Sequence, residues 1–330
     1  MLSQQKNKVM TFKPLTALSI LLVFILLTAG CQDTEKSYYQ RIQPVPKESG
    51  FKMDDWFVWG GSCIEVNGTY HLFASRWPEE TGFPQGYRTH SEIVRATADN
   101  PLGPYEFQEV VIGSRAPGYW DAGMAHNPTI HSIGDRFVLF YNGSDEGTQY
   151  RQIGYAWSES ITGPWNRSEQ PIEFNSDANN PAVYVEPDGR VKMMWRNREL
   201  QVFVATAPQF EGPYTIENED AFPWTRLEDF YLFKKNNMYH MVCEDNRGEV
   251  SGHERWGVHF VSEDGIHNWR KHEPVVFYDH TVHFTDGDSI HCERRERPQV
   301  LINEQGEVTH LFTSVLYEGQ TWCQVVPLRN

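Results

Sequence analysis

The chain reads as an all-β protein folded into a five-bladed β-propeller. Three observations lead there. Helix signals are nearly absent, and short alternating apolar runs separated by Gly, Asn, Asp and Pro fill the sequence. One pattern occurs five times: a polar cluster, an apolar strand, a tight turn and a second alternating strand. Four copies continue into a third strand and a Gly-rich corner ending in an aromatic, which makes room for four strands per unit. Starts at Asn127, Asn180 and Asp229 lie 53 and 49 residues apart, the length of one four-stranded blade.

In chain order, residues 1–31 are not part of the folded body. Lys6, Lys8 and Lys13 precede an apolar run from Leu15 to Ala29, and Leu27-Thr28-Ala29-Gly30-Cys31 follows the pattern of small residues before a processing point. This resembles a bacterial lipoprotein signal and implies lipidation of Cys31. The expected location is then the cell envelope, with the membrane touched only through a lipid anchor. A plain signal peptide and a retained anchor helix are the alternatives. Residues 32–50 are polar with Pro44 and Pro46, and their composition is that of a tether. Residues 51–330 are long enough to bury the core of one large domain.

Blade one opens at Trp59-Gly60-Gly61-Ser62 and turns at Asn67-Gly68, a strong hairpin pair. Blade two opens at Trp120-Asp121 and His126-Asn127, blade three at Asn179-Asn180, blade four at Glu228-Asp229 and blade five at Glu296-Arg297. The corners Gly103-Pro104-Tyr105, Gly163-Pro164-Trp165 and Gly212-Pro213-Tyr214 recur at one place in the unit. The long stretch after blade one's second strand, including Phe83 to Tyr87, reads as an insertion.

The formal charge is −15, and −18 once the three lysines of the leader are removed. That disfavours nucleic acid and other anionic polymers as general partners, though not an acidic substrate held by local arginines. Cys63, Cys243, Cys292 and Cys323 show no metal-ligand spacing and read as isolated thiols; three disulfide connectivities are the alternative. The sequence assigns no cofactor, leaves a cation in the central channel open, and does not specify an oligomeric state.

The innermost strands of a propeller line its channel, so the residues that start them converge on one mouth. Carboxylates meeting there supply what glycoside cleavage needs: one protonated acid and one base or nucleophile. The catalytic candidates are Asp229, Asp121, Glu296 and His126. Asn127, Asn180, Glu228, Arg297, Trp120 and His253 are substrate-binding candidates, and Trp59 and Trp224 are further sugar platforms. Each has a structural alternative: a blade-top hydrogen bond for Asp229, loop capping for Asp121, a satisfied core imidazole for His126, an ion pair closing blade five for Glu296 and Arg297, and ordinary packing for the tryptophans. Arg76 and Arg196 follow second strands and read as structural.

Several of these stretches are similar to the propeller glycosidases of glycoside hydrolase families 43, 62, 32 and 117, above all family 117 and its relatives. They are Gly61-Ser62 with Tyr70 to Trp77, Ser91-Glu92-Ile93-Val94, Trp120-Asp121 with His126 to Ile130, Glu228-Asp229 with Tyr239-His240, and Glu296-Arg297-Pro298-Gln299. The resemblance implies exo-acting hydrolysis of an oligosaccharide from algal or plant material. These families commonly place an Asp at the start of blade one, where this chain has Gly61-Ser62. A His acid, as in family 117, would come from His253, His280, His283 or His291. The main alternative is a carbohydrate-binding propeller without hydrolysis; a lyase or phosphorylase on the same fold is a third.

Overall fold

The computed structural model describes Met1 and residues 36–145, 150–174 and 177–329. The export signal and Cys31 lie outside the described residues of the folded unit.

Blade one is β1 (Trp56–Val66), β2 (Thr69–Pro78), β3 (Glu92–Ala98) and β4 (Glu106–Ile112). Blade two is β5 (Met124–Ile133), β6 (Arg136–Ser144), β7 (Gln152–Ser158) and β8 (Asn166–Arg167). Blade three is β9 (Asn179–Val185), β10 (Val191–Arg196), β11 (Val202–Ala207) and β12 (Thr215–Asn218). Blade four is β13 (Leu227–Lys235), β14 (Met238–Asp245), β15 (Gly257–Ser262) and β16 (Arg270–Tyr278). A hairpin, β17 (Thr281–His283) with β18 (Ser289–His291), precedes blade five, which is β19 (Arg294–Ile302), β20 (Val308–Tyr317) and β21 (Gln320–Pro327). Every sheet is an antiparallel meander in chain order.

Turn chemistry sets the register. A two-residue type I′ hairpin needs positive φ at both central residues, and Asn67-Gly68 (53° and 82°) and Asn236-Asn237 (51° and 62°) meet that demand. The apolar core is divided among the five blade-to-blade interfaces. In β10, Met193 faces the blade two side with Val138 and Phe140, while its neighbour Met194 packs with Phe230 and Phe260 of blade four. That is the period-two alternation of a strand buried on both faces.

Blade five has three strands of its own. Beside β21 runs the chain from Arg41 to Phe51, with bridges Ile42 to Leu328 and Phe51 to Cys323. This segment corrects the tether reading of residues 36–50. A short helix, α1 (Tyr38–Arg41), is capped by Ser37 and Gln40. Tyr38 stacks on Phe277 at 4.7 Å, and Val45 is fully buried between the β17–β18 hairpin and the blade. Polar composition concealed three or four well-spaced apolar anchors. All four cysteines of the body are free.

Candidate active site

Each inner strand carries the same irregularity near its start. One residue takes a left-handed backbone: Gly60 (φ 67°), Asn127 (53°), Asn180 (59°), Asp229 (54°) and Arg297 (55°). Ladder pairing skips that residue and the next one in all five blades, a β-bulge repeated around the channel. Proline follows the left-handed residue in blades two, three and five (Pro128, Pro181, Pro298), and its missing amide encodes the break. Asn and Asp tolerate this backbone region; Arg297 holds it at a cost of about 1–2 kcal/mol.

The five residues form the channel floor. Asn127 Nδ2 donates to Asn180 Oδ1 (2.9 Å), and Asn180 Nδ2 donates to Asp229 Oδ1 (2.6 Å). From the other side Arg297 donates to Asp229 through its backbone N (3.2 Å) and Nη1 (3.4 Å). Blade one contributes no side chain. A Cβ on Gly60 would stand 2.7 Å from Asn127 Oδ1, so glycine leaves the room that the amide fills.

Over this floor lies a pocket of about 150 Å³. The carboxylates that line it, Glu228, Asp229 and Glu296, come from blades four and five, and Glu244 lies fully buried behind them. Asp229, Glu244 and Glu296 are all buried and bring one oxygen each within 4.8 Å of one another, a set that could hold a cation. A guanidinium already bridges two of them: Arg255 Nη1 donates to Glu244 Oε1 (2.8 Å) and Glu296 Oε1 (2.9 Å). Burial pushes the Glu296 carboxyl up to about 7, and the Asp229 charge adds to the rise while Arg294 and Arg255 oppose it. Glu244 is raised further by burial and then by Glu296, Asp229 and Glu228. Glu228 is half-buried at the pocket wall, ion-paired with Arg196 and accepting from Asn246 Nδ2 (2.7 Å).

Aromatic residues build the opposite wall. The blade-one insertion carries α2 (Tyr87–His90); Tyr87 stacks on His126 (4.5 Å, 17°), and Phe83 stacks on Trp77 (5.9 Å, 18°). Ser91 Oγ donates its proton to the Ala125 carbonyl (2.8 Å) and lies 2.8 Å from His126 Nδ1. Since that proton is used, His126 Nδ1 must donate to Ser91, and Nε2 keeps its lone pair. Burial, then Arg297 and Arg151, hold the imidazole well below its ordinary value. His126 is therefore a neutral hydrogen-bond acceptor.

Of the residues singled out in the sequence, Asp229, Glu228, Glu296, His126, Asn127, Asn180 and Trp59 line this pocket, and Arg297 braces its floor. Asp121, Trp120 and His253 do not. Asp121 is buried and accepts from Tyr141 Oη (2.7 Å) and Arg167 Nη2 (2.5 Å), with Arg115 3.5 Å away. Trp120 lies in the core between blades one and two. Its indole fills space left by Gly143 and Gly154, where any Cβ would come within 2.2 Å of the ring. His253 is exposed and stacks on Trp256 at 3.8 Å. His280, His283, His291 and Trp224 also lie away from the pocket lining.

Arg196, read as structural, stands in the pocket. In an antiparallel hairpin the end of the second strand lies beside the start of the first, and Arg196 pairs in register with Asn179. Glu244 was missed for the same reason: it pairs with Glu228. Taking the last two residues of each second strand together with each repeat start would have found both. A larger recess of about 620 Å³ beside residues 47–52 has only exposed acids, Glu48 and Glu318, in its lining.

No protein-family model matches the chain, and no curated protein matches it in sequence. Solved structures do match in fold. A thermostable family-43 glycoside hydrolase superimposes with a TM-score of 0.63 at 13% identity, covering 88% of this chain and 93% of that one. The catalytic domain of a family 62 α-L-arabinofuranosidase from Coprinopsis cinerea gives 0.63 at 14% identity, covering 89% and 98%. A family 117 glycoside hydrolase from the marine bacterium Zobellia galactanivorans gives 0.61 at 13% identity, covering 87% and 89%. The chain has the five-bladed propeller fold on which these glycoside hydrolases are built.

Proposed function

We propose that the protein hydrolyses glycosidic bonds of oligosaccharides, with Glu296 as the general acid. The observation that carries this reading is the Glu296 carboxyl, raised to about 7 in a concave pocket that also holds Asp229 and Glu228. A carboxyl that keeps its proton near neutrality can pass it to the departing glycosidic oxygen. Asp229, saturated by donors of the floor, is the negative charge that adds to the effect of burial on Glu296 and faces the developing oxocarbenium ion. Glu228, at the wall beside Arg196, takes the proton of the attacking water. His126 Nε2 accepts from a sugar hydroxyl and orients the ring. At roughly 30 Å³ per water, 150 Å³ holds about five waters; this is the room of a single sugar unit and favours attack at a chain end.

The test is a panel of algal and plant oligosaccharides incubated with wild type and Glu296→Gln, with products resolved by chromatography. Cleavage by wild type that survives Glu296→Gln removes Glu296 as the acid. A second reading, carbohydrate binding without hydrolysis, is favoured by Gly60, which leaves blade one without a carboxylate. Saturable binding with no cleavage of any panel member would establish it. We further infer from residues 27–31 that the chain is exported and anchored through Cys31; palmitate labelling of cells should be lost in Cys31→Ser.

A further inference from the structure

Among the described residues, the pocket has one cation more than its acids use. Arg196 is paired with Glu228, Arg255 with Glu244 and Glu296, and Arg297 with Asp229, while Arg294 lies 3.6 Å from Glu296. Arg151, in the loop just before β7, is different. Among the described residues no acid lies within ion-pair distance of its guanidinium. Nη2 donates to the neutral phenol of Tyr87, and the guanidinium sits 5.7 Å from that ring. Only its backbone N meets a carboxylate, Asp177 Oδ1 at 2.7 Å, and the side-chain ion partner of Asp177 is Arg198 (3.8 Å). Nε and Nη1 have no protein partner among the described residues and are not shut off from solvent.

We propose that Arg151 receives an anionic substituent of the sugar, the carboxylate of a uronic acid or a sulfate ester, in the pocket read above as a saccharide site. A half-buried guanidinium without a counter-ion is costly unless a ligand supplies one. Its planar fork matches either anion in two-point geometry. The neighbouring group completes the pattern. His126 Nε2 is an acceptor and rejects an anion at its own position, so it takes a hydroxyl while Arg151 takes the charge. In a chain of formal charge −15 the overall field repels such a ligand, so recognition depends on a local guanidinium that the described acids of the pocket do not already pair.

The test is equilibrium binding of monosaccharides to the full protein by calorimetry. Glucose, galactose and mannose are each compared with their uronic acids and 6-sulfates. Wild type should bind a uronic acid or a sulfate at least about tenfold tighter than the parent sugar, and the two arms tell which. Arg151→Gln should lower that ratio by about 10- to 100-fold, the range for a lost charge-assisted pair. Arg151→Lys, which keeps the charge without the fork, should restore part of it. The NMR titration of the His126 ring in wild type is an independent readout: a bound anion beside Arg151 raises its pKa and a neutral sugar does not. If no anionic sugar binds more tightly than its parent, or the preference survives in folded Arg151→Gln, the proposal is overturned. Should Arg151→Gln fail to fold, an unmoved His126 titration overturns it instead. These ligands have no glycosidic bond, so failure of the hydrolysis reading would leave this result untouched.

Discussion

Two buried acids of similar appearance in the sequence, Asp121 and Glu296, have opposite surroundings. Asp121 is held by a tyrosine hydroxyl and two arginines, Arg167 and Arg115. Glu296 shares Arg255 with Glu244 and faces Asp229. Two arginines flank each of them, but those of Asp121 serve it alone and make it a structural tie. Around Glu296 the arginines are shared with other buried acids, and burial together with the Asp229 charge leaves it holding a proton near neutral pH. Burial alone therefore does not mark a catalytic acid; the sign of its neighbours does.

The comparison can be broken by substitution. The largest effect is expected at Glu296: Glu296→Gln should lower kcat by about 10²- to 10⁴-fold, the range for a general acid, without lowering Tm. Asp121→Ala should do the reverse. It leaves two arginines and a buried tyrosine without their acceptor, costing about 3–5 kcal/mol in chemical denaturation. If activity falls as steeply there as at Glu296, the division drawn above is wrong.

Changing the pH sharpens the contrast further. The acid must be protonated, so kcat should fall about tenfold per unit as pH rises beyond about 7, and this limb should vanish in Glu296→Gln. Folding raises the Glu296 pKa from 4.5, so the folded state binds the extra proton. Its contribution is present below 4.5 and is lost as pH rises to about 7. The Tm of Glu296→Gln should accordingly gain on wild type across that window. The smallest effect is in the floor: Asn180→Ala removes bonds to Asn127 and Asp229 and should cost about 1–3 kcal/mol by equilibrium unfolding, well below Asp121→Ala.

The fold was readable because each blade repeats its own turns and alternation, and those are local properties. The pocket was readable only where it coincided with the repeat starts, as at Glu228, Asp229 and Glu296. Asp121 and Trp120 were misplaced because they share that sequence neighbourhood but point into the blade. What decides this is nonlocal: two glycines on β6 and β7 that admit the indole, and an arginine on β8 that reaches the acid. Arg151 and Tyr87 are brought to the pocket from a loop and an insertion that carry no repeat signal. Residues 36–50 were misjudged because their anchors are few and their partners lie some 240–290 residues later in the chain.

The channel floor also fixes its own hydrogen-bond direction. Asp229 can only accept, so Asn180 must turn its NH₂ toward it and its oxygen toward blade two. That oxygen in turn obliges Asn127 to present its NH₂. Asn142 sets the same direction from blade two: its oxygen accepts from the Asn180 backbone N (3.0 Å), so its NH₂ must face the Asn180 oxygen (3.2 Å). Exchanging Asp229 for asparagine would leave the direction of both floor amides resting on Asn142 alone.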